Sequence, residues 1–367
     1  MRVAQGNRFC NRYEERQLLK SYIEQKRPAV LISPRRYGKS SLVYKVVEEL
    51  GYPCCFIDFL TAYDDNSICQ NIIMGISELV SQIMPINMKT LKLIEKCFQG
   101  IRPVIRYQHI ELEFISSTEK ADPTRQVLEA LKGLENISSK LKKTVVIFMD
   151  EFQRVLETPK GVAIQGAIRH VAQIASQAAF VFSGSSRHML SQIFDDSNLP
   201  LYMMCEKMQI DRIASEHYIQ YIQEAAEVKW KIKLEIQIIN RILELTENHP
   251  FYVNYLCSKL WEQRSLPTKI SDVDLAWHKC FLNEERRFVV ELEQLTINQR
   301  ALLKTIAHSF GLQEPTANDF LSSLGLSSGS VVPMLRALSK KDLIFVDNAG
   351  NTRVLDPLLK YMLLTLT

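Results

Sequence analysis

The stretch VLISPRRYGKSSL, residues 30–42, joins an apolar run to an amphipathic segment through a short loop that contains one glycine. It ends in Gly38-Lys39-Ser40, the close of the phosphate-binding pattern G-x-x-x-x-G-K-[ST], but Ser33 stands where that pattern begins with glycine. A strand, a tight loop and a helix in this order direct backbone N–H groups and the positive helix end toward one point. The stretch therefore predicts an anion-binding turn in an α/β domain.

The glycine at position 38 matters more to such a loop than a glycine at position 33. Gly38 lets the backbone approach a phosphate closely, whereas the opening glycine only eases the exit from the strand. Lys39 would reach the β- and γ-phosphate oxygens, and Ser40 would supply a hydroxyl to Mg²⁺. We expect the Ser33 loop to bind nucleotide, although the tripeptide alone also occurs in surface turns. The expected binding residues are Ser33, Pro34, Arg35, Arg36, Tyr37, Gly38, Lys39, Ser40 and Ser41.

Four nearly continuous apolar runs predict strands that are buried on both faces of a parallel sheet. These runs are residues 28–33, 54–59, 144–150 and 179–185. Helical stretches such as 39–51 and 161–177 separate them, which predicts right-handed β-α-β crossovers. Residues 202–210 predict a fifth strand.

Two adjacent carboxylates, Asp150 and Glu151, end the third apolar run, VVIFMDEFQ. Ligands collect at the carboxyl ends of strands in such sheets, so this position favours chemistry over a strand that ends in two acids by chance. Asp150 would join Ser40 in holding Mg²⁺, and Glu151 would polarise the attacking water. The next strand ends in SGSSRHM, where Ser183, Ser185 or Ser186 would bond the γ-phosphate or the water. The predicted catalytic residues are Glu151, Lys39 and Ser185.

The strand signal ends near residue 211, where amphipathic helices such as 215–228 and 235–248 begin. The last part of the chain predicts helices over 297–309, 316–324 and 331–342, with a turn, GLSSGS, before the third. Two apolar runs around Asn348-Ala349-Gly350-Asn351 then predict a hairpin. Helices followed by a hairpin predict a winged helix. We therefore expect an α/β core over 1–210, a helical module over 211–289 and a winged-helix domain over 290–367.

Taken together, these segments resemble the prokaryotic, mainly archaeal, ATPase family of the STAND and AAA+-like branch of the P-loop NTPases. The matching segments are RFCNRYEERQLL, SPRRYGKSSL, VVIFMDEFQ, VFSGSSRHM, ENHPFYVNYLC and the terminal winged helix. The resemblance implies a sheet of strand order 5-1-4-3-2, a helical lid over the nucleotide, and ATP hydrolysis to ADP as a switch.

The resemblance also assigns residues outside the phosphate loop. Phe9 and Arg12 fall in the family's F-x-G-R-x-x-E segment, which lies against the adenine, and Asn11 replaces its glycine. Pro250 falls on the lid's G-x-P signature and would pack near the base, where Asn248 again replaces glycine; Asn tolerates positive φ better than most residues. No arginine finger is evident, and the candidates are Arg169, Arg187 and Arg212.

The role of the winged helix stays open between two partners. A formal net charge of +4 and a pI near 8.5 permit nucleic-acid binding without arguing for it. The predicted recognition helix, 328–341, offers Arg336, Lys340 and Lys341 to DNA. Its apolar face suits a protein-docking role instead and consists of Val331, Val332, Leu335 and Leu338.

Two main functions follow from these features. The first is a nucleotide switch that couples ATP hydrolysis to lid and winged-helix position, and the alternative is a DNA-binding regulator that uses ATP mainly structurally. A P-loop kinase is a weaker option because no acceptor-binding segment is evident. The polar N-terminus and the absence of an apolar run long enough to span a bilayer predict a cytoplasmic protein with no membrane partner. The sequence does not specify an oligomeric state.

Overall fold

The computed structural model describes residues 9–85, 87–98, 101–106, 111–116, 122–263, 266–309, 311–313, 315, 317, 327–347 and 349–365. The chain forms two compact units, Met1–Asp211 and Arg212–Thr367. The helix predicted over 316–324 lies outside the described residues except for Ala317, as does Asn348 of the predicted hairpin turn.

A five-stranded parallel sheet organises the first unit. In chain order the elements are α1 (Tyr13–Glu24), β1 (Ala29–Ile32), α2 (Lys39–Leu50), β2 (Cys54–Asp58), α3 (Asp65–Ile83), α4 (Met88–Cys97), β3 (Ile101–Arg106), β4 (Glu111–Ser116), α5 (Pro123–Leu141), β5 (Val145–Asp150), α6 (Gln153–Leu156), α7 (Gly161–Ile174), β6 (Ala178–Gly184), α8 (Arg187–Asp195) and β7 (Glu206–Gln209). The sheet order is β2-β5-β6-β1-β7, with every neighbouring pair parallel. Counting these five strands alone, the order is the predicted 5-1-4-3-2, and the prediction is confirmed.

Both faces of this sheet are covered by helices, as the unbroken apolar runs predicted. Along β5, Ile147 and Met149 belong to a core shared with α3, α5 and α7, whereas Val146 and Phe148 belong to a core shared with α1 and α2. Successive side chains of a strand point to opposite faces, so a strand buried on both sides is apolar throughout. This packing places all five strand ends, and the polar residues that follow them, at one edge of the sheet.

An antiparallel pair, β3 and β4, is inserted between α4 and α5 and was not predicted. Phe114 of β4 stacks against Phe98, with ring centroids 4.2 Å apart, and both side chains join the core beside α3 and α5. The hairpin therefore extends the core of the first unit without joining the central sheet.

The second unit is helical except for one hairpin. Its elements are α9 (Ser215–Trp230), α10 (Ile236–Thr246), α11 (Pro250–Trp261), α12 (Ile270–Glu293), α13 (Ile297–His308), α14 (Ser328–Lys340), β8 (Ile344–Val346), β9 (Thr352–Val354) and α15 (Pro357–Thr365). Helix α12 runs through residues 289 and 290, where a boundary between helical module and winged helix was expected. Helix α15 packs against both α10 and α12, so the two parts share one core.

Ion pairs within the second unit reinforce that shared core. Glu247, just after α10, accepts hydrogen bonds at 2.6 Å from both Arg212 and Lys360 of α15. Arg212 also donates to the carbonyl of Leu355, just before α15. Burial would raise the pKa of Glu247, but Arg212 and Lys360 outweigh it and hold that pKa below its ordinary value.

A second polar group joins the same helices from the other side. Asp356 accepts from the hydroxyl of Tyr252 at 2.5 Å and from Arg287 of α12 at 3.3 Å. These contacts tie α11 and α12 to the start of α15. Among the described residues, no helix is both long enough and apolar enough to cross a membrane.

Candidate functional site

The phosphate-loop candidate connects β1 to α2 in the conformation that its glycine predicts. Gly38 precedes the first residue of α2 and has φ 89°. A Cβ atom at this position would meet nothing within 4 Å, so the backbone conformation and not lack of space favours glycine here. Of the loop residues, Arg35 and Arg36 are exposed, and those whose side chains are buried are Ser33, Pro34, Tyr37, Lys39 and Ser41.

Lys39 lies at the first position of α2, and its ammonium turns back across the loop. Only 6% of the residue is exposed. Its Nζ donates to the carbonyl oxygens of Ser33 at 2.9 Å and Pro34 at 3.0 Å, and it lies 3.4 Å from Ser33 Oγ. Ser33 therefore fits inside the loop, where its hydroxyl adds a polar partner for the lysine.

Arg12 supports the same loop from outside. Its Nη2 donates to the carbonyls of Tyr37 and Asp211, both at 2.8 Å, and its Nη1 pairs with Glu15 at 2.8 Å. The guanidinium is 3% exposed, so these bonds form in a dry environment and hold the loop backbone firmly. Phe9, half-buried, packs against the core of α1 and α2. The predicted contact of Phe9 and Arg12 with adenine stays a prediction.

Asp150 joins the phosphate loop to the end of β5. Its Oδ2 accepts a hydrogen bond from Ser40 Oγ at 2.7 Å, so the start of α2 and the end of β5 touch directly. Its Oδ1 accepts from Ser183 Oγ and from the backbone N–H of Glu151 at 3.0 Å. The sequence predicted that Ser40 and Asp150 share a site, and the structure brings these two side chains together.

Glu151 follows with a left-handed backbone, φ 52°, which is costly for a residue other than glycine. Its Oε2 accepts from Ser185 Oγ at 2.8 Å and from Gln153 Nε2 at 2.5 Å. Ser185 in turn accepts from Arg35 Nε at 3.2 Å. Ser185 thus links the loop to the carboxylate, and Ser183, the alternative serine, contacts Asp150 instead.

Asp58, at the end of β2, is a site residue that the sequence analysis missed. It pairs in register with Asp150 on the neighbouring strand. Partial burial raises the pKa of Asp58, and the nearby Asp150 and Glu151 raise it further. The signal was visible, because the run CCFIDF ends in an acid, but only the strand order shows that this acid lies beside Asp150.

The sequence-predicted residues of the second unit occupy defined positions within that unit. Pro250 is the first residue of α11 and follows Asn248, whose φ of 58° agrees with the tolerance expected of asparagine. Arg212 is held by Glu247, as described above. In the first unit, Arg169 donates to the carbonyl of Pro200 and Arg187 begins α8.

The winged helix uses most of the apolar face that suggested protein docking. Val331 and Leu338 of α14 are fully buried, and Val332 and Leu335 are half-buried. Val331 and Leu338 are therefore taken up by the domain's own packing, and Val332 and Leu335 remain the partly accessible part of the predicted docking face. The three basic residues of the DNA hypothesis are exposed: Arg336 and Lys340 lie on α14, and Lys341 follows its last residue.

Comparison with known proteins agrees with this architecture. Residues 287–365 match a family model described as a probable winged helix domain. A Walker-type ATPase of Pyrococcus abyssi is similar over 99% of this chain and 98% of its own, with a TM-score of 0.72 and 15% sequence identity. The ORC2 protein of Aeropyrum pernix, in its ADPNP and ADP complexes, is similar over 99% of this chain and 95% of its own, with a TM-score of 0.58 and 14% identity. No curated protein matches the sequence.

These similarities concern the fold, and each extends over nearly the whole of both chains. The chain therefore has the fold of the P-loop ATPases, with a five-stranded parallel sheet followed by a helical segment and a C-terminal winged helix.

Proposed function

We propose that this chain binds ATP with Mg²⁺ and hydrolyses it to ADP. The observation that carries the proposal is the 2.7 Å hydrogen bond from Ser40 to Asp150, which joins the loop and the strand-end carboxylates in one site. A Gly-Lys-Ser turn on the surface would not be expected to contact the acids at the end of β5, because β6 lies between β5 and β1 in the sheet. The fold shared with a Walker-type ATPase supports the same conclusion.

The loop supplies the groups that a polyphosphate needs. Gly38 leaves the backbone N–H groups at the start of α2 unobstructed, and the helix end contributes partial positive charge. Lys39 brings a full positive charge that is already positioned inside the loop. Arg12 holds the loop at Tyr37, so these donors are fixed before a ligand binds.

The oxygen atoms at this edge fit a divalent cation. Ser40 and Asp150 offer a hydroxyl and a carboxylate, the hard ligands that Mg²⁺ prefers. Asp58, whose pKa is raised by partial burial and further by Asp150 and Glu151, adds another carboxylate at the same edge. When bound, Mg²⁺ would neutralise charge that develops on the phosphate oxygens. We assign Ser40 and Asp150 to the metal and place Asp58 close to them.

Glu151 is assigned as the general base that polarises the attacking water. Its carboxylate lies next to the metal residue Asp150 and is bonded to Ser185, which also contacts Arg35 of the loop. A base positioned beside the γ-phosphate is the requirement for in-line attack by water. Ser185, predicted to bond the γ-phosphate or its water, is retained among the proposed catalytic residues, and its hydrogen bonds also connect the loop to this base.

The second unit gives the switch its moving part in this proposal. We retain residues 211–289 as the lid, with Pro250 near the base, and 290–367 as the winged helix, within the STAND-like scheme. The continuous helix α12 and the bonds of Glu247 and Asp356 favour movement of lid and winged helix as one body. Hydrolysis would then reposition the winged helix together with the lid.

Paired carboxamide variants separate the two acids. Glu151→Gln should bind ATP as wild type does but hydrolyse it about 10²-fold more slowly, because it keeps size and loses basicity. Asp150→Asn should instead weaken the Mg²⁺ dependence of ATP binding, and Lys39→Ala serves as the binding-deficient control. Calorimetry and single-turnover assays measure the two properties. Equal hydrolysis by Glu151→Gln and wild type would remove Glu151 from the role of base, and no binding of ATP at millimolar concentration would end the proposal.

A second candidate function, DNA binding by the winged helix, is favoured by the exposed basic side of α14. Neutralising Arg336, Lys340 and Lys341 together should weaken duplex binding and reduce the slope of log Kd against log salt by about one per contacting residue. The matched control neutralises three other lysines of the same unit, Lys229, Lys231 and Lys233. Fluorescence anisotropy of labelled duplex DNA, at salt concentrations from roughly 50 to 200 mM, measures the Kd of each variant and its dependence on salt. If both triple variants bind alike, α14 is not the DNA contact.

A further inference from the structure

Gln153 is a buried glutamine whose side-chain amide makes one hydrogen bond within the described part of the chain. It lies at the start of α6, two residues after Glu151, and 4% of it is exposed. Its Nε2 donates to Glu151 Oε2 at 2.5 Å, while its buried Oε1 has no hydrogen-bond partner among the described residues. An unsatisfied buried carbonyl costs about 1–3 kcal/mol, which an apolar side chain of the same size would avoid.

The neighbouring strand has a residue that makes room for this amide. A Cβ atom on Gly184, the last residue of β6, would come within 2.0 Å of Gln153 Oε1. Glycine inside a strand weakens it, because it has no side chain to pack and loses more entropy on folding. Positions 153 and 184 thus both depart from what core stability alone favours, and they depart from it at the same contact.

The two side-chain hydrogen bonds that Glu151 accepts are both made by one of its carboxylate oxygens, Oε2. Both donors, Ser185 and Gln153, bond to Oε2, and no described residue donates to Oε1. A carboxylate anchored by one oxygen keeps the other free to accept a proton in a fixed direction. The left-handed backbone of Glu151 is a strained conformation of the kind that persists only where surrounding contacts hold the residue in place.

We propose that Gln153 is the positioning residue of Glu151. It fixes Oε2 so that Oε1 faces the attacking water, and Gly184 provides the space that this glutamine requires. The assignment rests on the proposed function, in which Glu151 is the base. It adds a residue that touches neither nucleotide nor metal and acts only through Glu151.

Gln153→Met removes the donor while it keeps the length and volume of the side chain, and it also removes the orphaned carbonyl. Single-turnover hydrolysis should fall about tenfold, because a misplaced catalytic group loses rate without losing substrate affinity. The Kd for ATP should stay unchanged. Gln165→Met is the matched control, since Gln165 is fully buried on α7 and its amide has no partner among the described residues; its rate should stay within twofold of wild type.

A double variant distinguishes positioning from a general effect on the fold. In the Glu151→Gln background, Gln153→Met should cause no further loss, because there is no base left to position. A further tenfold loss in that background, or a wild-type rate in Gln153→Met alone, would overturn the assignment. Gly184→Ala provides an independent check, since it displaces the same amide and should reproduce the loss in rate.

Failure of the proposed function would appear differently. Were Glu151→Gln to hydrolyse ATP as fast as wild type, the base itself would be wrongly assigned and the role of Gln153 would fall with it. A slow Glu151→Gln beside an unaffected Gln153→Met would instead overturn the positioning role alone.

Discussion

Glu151 and Glu247 share an unfavourable backbone conformation, with φ 52° and 46°, in two different units of the molecule. Left-handed φ costs roughly 1 kcal/mol or more for such residues. Each glutamate therefore needs a compensating gain from its side chain. The two side chains obtain it in different ways, and that difference separates a structural carboxylate from a functional one.

Glu247 is paired with cations on both oxygens. Arg212 and Lys360 each approach it at 2.6 Å, and its pKa lies below the ordinary value despite burial. Glu151 has only a serine hydroxyl and a glutamine amide as side-chain donors, and within the described part of the chain no lysine or arginine forms an ion pair with it. A paired carboxylate stabilises the fold, whereas one without a counter-cation keeps its charge available for a ligand.

The largest effect that this comparison predicts concerns the paired glutamate. Glu247→Gln should destabilise the second unit by about 1–2 kcal/mol, between the effects of exposed and fully buried pairs, because it leaves Arg212 and Lys360 partly buried without their counter-charge. All three tryptophans, Trp230, Trp261 and Trp277, lie in this unit, so tryptophan fluorescence during urea unfolding reports on it selectively.

Lowering the pH should remove the difference in stability between wild type and Glu247→Gln. The folded pKa of Glu247 lies below its unfolded value of about 4.3, so its stabilising effect is complete above that value and is lost as the pH falls through the folded pKa. Wild type and variant should therefore begin to converge below about pH 4, and the convergence should be complete only below the folded pKa of Glu247. Glu262→Gln is the control: Glu262 pairs with Lys259 on the surface, and its loss should cost less than about 1 kcal/mol. Equal losses from both variants would show that Glu247 is only another surface charge.

A smaller change in stability, a gain instead of a loss, is expected from removing the charge of Asp58 at the end of β2. Asp58 has its pKa raised above the unfolded value of about 3.9, so its ionisation favours the unfolded chain and costs native stability as the pH rises. Asp58→Asn should therefore stabilise the first unit at pH 7, by less than about 1 kcal/mol because solvent screens an exposed carboxylate.

Urea unfolding followed by far-UV circular dichroism measures this gain, with tryptophan fluorescence as the record of the second unit. The gain should disappear as the pH falls below about 3, where Asp58 is protonated in both the folded and the unfolded state. Glu24→Gln, on the exposed side of α1, removes the same charge elsewhere and should leave stability unchanged. A destabilised Asp58→Asn would contradict the idea that burial and the neighbouring acids together disfavour the ionised form of Asp58.

The sequence was most informative where a local pattern of residue types is typical of one kind of structure. Unbroken apolar runs identified the buried strands, and Gly38, Lys39 and Asp150 marked the ends that form the site. Sequence-adjacent features of this kind need no knowledge of distant neighbours.

Contacts between distant segments were the part that sequence patterns did not reveal. Asp58 became a site residue only through strand register, and Arg12 bonds to backbone carbonyls that any residue type presents. Gln153 was overlooked because a glutamine after a strand has many roles, and the role proposed for it rests on its contacts with Glu151 and Gly184. Val331 and Leu338 have the same spacing in a docking face and in a core, so burial alone decides between them.

The internal bonds of Lys39 have a consequence for selectivity. Its ammonium already has two carbonyl partners in the loop, so a buried charge that would otherwise cost several kcal/mol is compensated within the protein itself. A ligand must therefore exchange places with these carbonyls, and only a group with more negative charge than a carbonyl gains from the exchange. Neutral sugars and bases offer the lysine no advantage, and it stays with the loop. The two carbonyls that hold the lysine thus favour polyanions over uncharged molecules as ligands of this loop.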